Sequence, residues 1–151
     1  MAALRITLLT FHVARGIAGL VVGALALRPF AQTWIKRLYV AALIVLAVFL
    51  TATVAVDWPN LGGEQRTIYS ILIALAIVIV SRGLLALRTS DSLKYINHVY
   101  FTYISLWEGF FIVGLIDLGA PAWLVAAVAV GVVILGGVLI SGYKRGLVRP
   151  A

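Results

Sequence analysis

The sequence predicts an all-α integral membrane protein in which five helices cross the lipid bilayer. Of its 151 residues, 64% are hydrophobic and 11% are charged, whereas soluble domains are nearer half apolar and a quarter charged. The mean hydropathy is +1.13. A single small soluble core cannot hide so much apolar surface, so lipid is the natural solvent of this chain. The composition leaves no room for a separate soluble region, and we expect one domain over residues 1–151.

Five apolar stretches have the length that a helix needs to cross a bilayer, which is about 20 residues. Their approximate bounds are residues 4–27, 38–56, 68–87, 99–118 and 122–143. The second and fifth are uninterrupted by charge, whereas the first, third and fourth each contain an ionisable residue.

The connections between these stretches are short and carry turn residues. Residues 57–66 contain a proline and paired glycines, and residues 119–121 read GAP, so both segments are expected to reverse the chain. Before the fourth span, one of Thr89, Ser90 and Asp91 is expected to cap a short helix that enters the membrane.

Lysine and arginine residues predict the orientation of the chain. Eight of them fall on one side, namely Arg28, Lys36, Arg37, Arg88, Lys94, Lys144, Arg145 and Arg149. The other side has Arg5 and Arg66, together with Asp57, Glu64 and Asp117. Because positive loops stay in the cytoplasm, we expect the N-terminus outside and the C-terminus in the cytoplasm of a bacterial plasma (inner) membrane.

The net charge of +7 therefore marks topology and does not indicate a nucleic-acid partner. An aromatic belt is also expected where spans meet the headgroups. It would consist of Trp34, Tyr39, Trp58, Trp123 and Tyr143.

An ion pair in the middle of the membrane is the main expected site. Helix rise places Arg15 about 17 Å from the outer edge and Glu108 about 14 Å from the inner edge, at a shared depth. A lone charge there costs roughly 3 kcal/mol, so we expect Arg15 and Glu108 to pair, with His12 nearby. Thr102 and Ser105 would form a polar stripe leading to Glu108. The pair either serves a function or only fixes the packing of the helices.

Two further polar residues lie near the inner membrane surface. Arg82 is about one and a half turns from the end of the third span, so it is either an anchor that reaches the interface or a member of the site. His98 is expected at the surface beside Lys94 and Tyr95, in contact with water.

Small residues predict where helices approach closely. Gly16, Gly19 and Gly23 form a seam on the first span, and Gly131 and Gly137 lie in a small-residue face of the fifth. Such faces let a neighbouring helix come near, and the fifth span's face would suit a membrane partner or a second copy.

Most cofactor chemistry is disfavoured by the residues present. The chain has no cysteine, which excludes disulfides and thiolate metal sites. His12 and His98 are about 17 Å apart in depth, too far to share one iron. No metal site and no cofactor is predicted, although a haem b held by one histidine or ligated across a dimer stays an alternative. No soluble-type catalytic motif is present.

The function predicted from the sequence is that of an accessory or binding subunit of a membrane complex. Its partners would be the bilayer and either another membrane protein or further copies of the chain. Two alternatives stay open, a small-solute or proton-coupled transporter that uses Glu108, and a haem- or quinone-linked redox subunit. Nothing in the sequence indicates an enzyme.

Overall fold

The computed structural model describes residues 16–28 and 32–148, and every long element in them is an α-helix. The helices are α1 (Gly16–Ala26), α2 (Thr33–Asp57), α3 (Gly63–Arg88), α4 (Ser92–Asp117) and α5 (Ala122–Val148). By length and composition, α2 to α5 could each cross a membrane, and α1 is a shorter apolar helix. The prediction of an all-α fold with helices long and apolar enough to cross a membrane is therefore confirmed for the described residues. A fifth span and the orientation stay predictions.

The helices begin earlier than the apolar stretches predicted. The second begins at Thr33 and the fourth at Ser92, because a helix can continue through the headgroup region with polar side chains. Asp91 caps the fourth helix directly, since its carboxylate accepts hydrogen bonds from the backbone N–H of Leu93 at 2.9 Å and of Lys94 at 3.2 Å. The cap expected among Thr89, Ser90 and Asp91 is therefore confirmed at Asp91, and the helix that it begins continues without a break as α4.

Short connections make the long helices antiparallel neighbours. After α2, a 3-10 turn (Trp58–Asn60) leads within a few residues to α3. Between α4 and α5 the chain reverses at Gly119, whose φ of +73° suits glycine. Helix α3 packs between α2 and α4, and α4 packs between α3 and α5. The reversals expected at 57–66 and 119–121 are both present, although the α3 helix already begins at Gly63.

Helix α4 is the centre of the core. Its buried side chains include Ile96, Val99 and Leu106, and they pack against buried residues of α1, α2 and α3. A smaller cluster joins Ile112 of α4 to Leu72 of α3 and to α5. Because α4 touches so many neighbours, polar groups on it can be enclosed.

Two glycines lie where α4 closely approaches a neighbouring helix. A Cβ added at Gly23 would lie 2.8 Å from ring carbons of Tyr39 and Tyr103, so α1 approaches both α2 and α4 there. At Gly136 of α5, an added Cβ would lie 2.6 Å from Cγ2 of Ile104 on α4. The close approach expected at Gly23 is thus present, and Gly136 was not singled out from the sequence.

The other glycines chosen from the sequence have more room. Added Cβ atoms at Gly16 and Gly19 would make ordinary contacts at 3.7 Å. Gly131 and Gly137 are exposed, and nothing among the described residues lies within 4 Å of a Cβ added there. They do not pack α5 on the described bundle, because its packed face runs through Gly136. Their proposed contact with a partner stays a prediction.

Charge is separated between the two ends of the bundle. We call the end where α2 and α4 begin the basic end, and the opposite end the acidic end. The basic end has one acidic residue, Asp91, among basic positions at Arg28, Lys36, Arg37, Arg88, Lys94, Lys144 and Arg145. The acidic end has Asp57, Glu64 and Asp117, with Arg66 as the basic residue in its described part.

Aromatic side chains are exposed at both ends, with one exception to the predicted belt. Trp34, Trp58, Trp123 and Tyr143 are exposed near helix ends, as expected for headgroup level. Tyr39 is only 1% exposed. Its assignment to the belt is wrong, because the missing side chain of Gly23 leaves room for its ring inside the bundle.

Candidate functional site

Three polar residues follow one another along the middle of α4. Thr102, Ser105 and Glu108 are spaced by three residues near the middle of that helix. By helix rise they lie about 15 to 24 Å from its first residue. Within a hydrocarbon core about 30 Å thick, this is the region where water is scarcest.

Thr102 belongs to a buried hydrogen-bond network. Its side chain is 0% exposed, and its hydroxyl donates to the backbone carbonyl of Val99 at 2.8 Å. A hydroxyl has a single proton to donate. The Tyr39 hydroxyl, 3.0 Å away, therefore donates to Thr102 Oγ1. The network joins α2 to α4 with its polar atoms satisfied, so its role is structural.

Ser105 faces a small cavity inside the bundle. The cavity has a volume of about 60 Å³ and walls from α1, α2, α3 and α4. Ser105, 5% exposed, is the one polar side chain among the described residues that line it, and the rest are mainly leucines. The space suffices for water, but it is too small and too apolar for an organic substrate.

Glu108 lies on a different side of α4 from the cavity. It follows Ile104 by four residues and Phe101 by seven, so the three share a face of the helix. Ile104 contacts α5 at Gly136, and Phe101 contacts α3 at Arg82. By this spacing Glu108, which is partly buried, is directed toward the seam between α3 and α5. Among the described residues, no basic group lies within ion-pair distance of its carboxylate.

The predicted pair of Arg15 and Glu108 remains a prediction, because His12 and Arg15 lie outside the described residues. Gly16, which follows Arg15, packs toward Phe110. Phe110 and Glu108 are two residues apart, which is about 200° around the helix axis. The described part of α1 therefore contacts a different side of α4 from the one that carries Glu108.

Arg82 and His98 meet at the outer surface of the α3–α4 contact. The Arg82 guanidinium lies 3.5 Å from Nδ1 of His98 and 5.2 Å from the ring centre of Phe101. The sequence suggested each residue separately, and the fold brings them together because α3 and α4 are antiparallel neighbours. His98 is partly exposed there, and its expected place at the membrane surface stays a prediction.

Two tyrosines hold the C-terminal end of α1, a role that sequence reasoning missed. The Tyr95 hydroxyl donates to the carbonyl of Ala26 at 2.9 Å, and the Tyr143 hydroxyl donates to that of Leu27 at 3.2 Å. Tyr95 is 4% exposed, so its side chain faces the core of the bundle. Lys36 covers its ring at 4.1 Å. Each tyrosine lies near an end of its own helix, and this position in the sequence was the signal that could have predicted its hydrogen bond to the end of α1.

No cluster of three or more potential metal ligands occurs in the part of the chain that the structure describes. Comparison with known protein families, curated proteins and solved structures finds no match to this chain. Assignment of a role therefore depends on the chemistry of the residues described above.

Proposed function

We propose that this protein is a small accessory or binding subunit of a membrane complex. It would lie in a bacterial plasma membrane, with the basic end in the cytoplasm and the N-terminus outside. The observation that carries the proposal is Glu108, an ionisable group at mid-membrane depth in a seam between two helices.

The energetics of Glu108 support a partner. A charged carboxylate in the bilayer centre costs several kcal/mol, so intramembrane acids carry a proton or meet a cation. The described residues provide no cation beside it. The cation would come from Arg15 of the same chain, as the sequence predicts, or from a basic residue on the helix of a partner or a second copy.

Helix α5 supports the same proposal from its exposed surface. Its outer face carries large apolar residues, among them Val130, Ile134 and Val138, all more than half exposed. Gly131 and Gly137 are also exposed. A face of this kind, with small residues between large ones, suits the close approach of another transmembrane helix beside the seam that contains Glu108.

The test removes the charge of Glu108 and measures the mass of the complex. Wild type, Glu108→Gln and Glu64→Gln would be extracted in a mild detergent and analysed by native mass spectrometry. Glu64 lies in the first turn of α3 at the acidic end, so its substitution makes the same chemical change away from the membrane interior. We expect Glu108→Gln alone to shift the protein toward the free 16.2 kDa chain.

A free chain in all three samples would contradict the subunit proposal. A complex that survives Glu108→Gln unchanged would contradict the role of this residue. To identify the cation, Arg15→Glu and Glu108→Arg would be made singly and together. Recovery of stability in the double variant would assign the cation to Arg15, whereas additive losses would assign it to a partner.

A second candidate is a proton carrier that uses Glu108, because an acid at mid-membrane depth can take up and release a proton. Proton flux into proteoliposomes that Glu108→Gln abolishes and Glu64→Gln preserves would support it. No cofactor is proposed, and a Soret band in protein purified after haem-replete expression would contradict that view.

A further inference from the structure

Arg82 is a cation on the outer surface of the bundle, inside the thickness of the membrane. It lies six residues before the end of α3, which is about 9 Å along the helix axis. Helix α3 is about 39 Å long, which is longer than a hydrocarbon core of about 30 Å, so each of its ends extends a few Å beyond the core. The backbone of Arg82 therefore lies a few Å inside the hydrocarbon core at the basic end. Its side chain is exposed, and no described carboxylate lies within 4.0 Å of it.

Two side chains of α4, Phe101 and His98, lie beside the Arg82 guanidinium and orient it. The Phe101 ring lies 5.2 Å from the guanidinium carbon and supports one side of the group. His98 Nδ1 lies 3.5 Å from an arginine terminal nitrogen, at the long end of hydrogen-bond distances. A guanidinium can only donate, so Nδ1 accepts, and the imidazole proton is on Nε2. This nitrogen is a second donor beside the guanidinium.

A third donor lies one helical turn nearer to the membrane surface. Lys94 precedes His98 by four residues on α4, so the two share a face. Its side chain is largely exposed, with a distant contact of 3.9 Å to Asp91. From the lipid interior outward, Arg82, His98 and Lys94 thus offer donors along the α3–α4 junction, where phosphates meet acyl chains.

We propose that Arg82, His98 and Lys94 bind the phosphate group of an anionic phospholipid, whose acyl chains lie along the apolar surface of α3 and α4. The planar guanidinium binds two phosphate oxygens, which a lysine in its place cannot do with the same geometry. Basic pockets between transmembrane helices on the cytoplasmic side are suited to such headgroups. Exposed Val78, one helical turn before Arg82 on the same face of α3, and exposed Phe101 provide apolar surface beside them toward the lipid interior.

The experiment measures lipid binding to the purified full-length chain in a neutral detergent. Native mass spectrometry would follow titration with phosphatidylglycerol, phosphatidylcholine or inorganic phosphate. We expect phosphatidylglycerol to bind more tightly than phosphatidylcholine, and millimolar inorganic phosphate not to displace it. Arg82→Gln should weaken phosphatidylglycerol binding roughly fivefold, as loss of one basic group near the surface predicts.

Arg37→Gln is the matched control, since it removes one exposed positive charge from the same end of the bundle. Equal weakening by Arg37→Gln and Arg82→Gln would overturn the proposal, because only general surface charge would then attract the lipid. Displacement by inorganic phosphate would overturn the lipid as the ligand and assign the site to free phosphate.

His98→Ala keeps the test decisive if Arg82→Gln does not fold, because it removes a donor and leaves the cation in place. Weaker phosphatidylglycerol binding by His98→Ala, with helix content unchanged in circular dichroism, would support the site. Unchanged binding would overturn it.

Discussion

Replacing Gly136 by alanine tests how closely α4 and α5 pack. The new Cβ would lie 2.6 Å from Cγ2, 3.1 Å from Cγ1 and 3.3 Å from Cβ of Ile104. Carbon atoms in contact are normally about 3.5–4.0 Å apart. Rotation of the isoleucine side chain cannot relieve the contact, because its own Cβ is already close. The two helices must therefore separate by about 1 Å at this point.

The neighbouring Gly137 provides the reference for this change. An alanine there meets nothing within 4 Å among the described residues, yet it gains the same helix propensity, up to about 1 kcal/mol. The difference between the two variants therefore isolates the steric cost. Overpacking a well-packed site typically costs about 1–3 kcal/mol, so Gly136→Ala should be less stable than Gly137→Ala by that amount.

The assay is reversible unfolding in mixed micelles with increasing sodium dodecyl sulfate, followed by tryptophan fluorescence. In an Ile104→Ala background the clashing Cγ atoms are gone, and the difference between the two alanine variants should fall below about 1 kcal/mol. Equal stabilities of Gly136→Ala and Gly137→Ala in the wild-type background would refute the close contact of α4 with α5.

Three other expected outcomes use single substitutions in the described residues. Tyr39→Phe should lower the free energy of unfolding by about 0.6 kcal/mol, which is the mean for hydrogen bonds between membrane helices. Thr102→Val leaves the buried Tyr39 hydroxyl without its acceptor and should lower the free energy of unfolding by about 1–3 kcal/mol. A smaller loss for Thr102→Val than for Tyr39→Phe would contradict the assignment of Tyr39 as the donor. Asp91→Ala should lower the free energy of unfolding by about 1 kcal/mol in the same assay, because it removes the cap of α4. Asp91→Asn should keep most of the stabilisation, because asparagine also caps helices. Equal losses in the two variants would contradict the cap. Because the chain has no cysteine, Asn60→Cys and Ser90→Cys can be labelled in intact cells with an impermeant thiol reagent, and we expect labelling at Asn60 alone; labelling at Ser90 alone would reverse the orientation.

Much of the fold was predictable because each long apolar stretch can satisfy its backbone in lipid only as a helix. The four described long helices follow from this constraint, whereas the short connections follow from turn residues and the basic end from the positions of lysine and arginine. The helix starts at Thr33 and Ser92 were missed because hydropathy marks the hydrocarbon core and not the turns that continue through the headgroups.

The site was harder to predict because counting along a helix gives depth but not direction. Depth placed Glu108 at mid-membrane, but its direction toward α3 and α5 depends on how α4 packs. Tyr39 shows the same problem, because its position near a span end suggested the interface while Gly23 on another helix draws it into the core. The contact of Arg82 with His98 likewise joins residues on two helices, and no local pattern in the sequence predicts it.

By itself, the sequence determined that the helices are apolar enough to suit lipid, where the long helices lie and which of their ends carry positive charge. Only the tertiary structure decided which helices are neighbours and that α5 contacts α4 at Gly136 and not at Gly137. It also decided which sides of α4 face the cavity, the α3–α5 seam and the outer surface. The physical reason is that a membrane helix is apolar on every side, since lipid tails are as apolar as leucine. Periodicity that would identify the inner face of a soluble helix is then absent, and shape and a few polar contacts select the packed face.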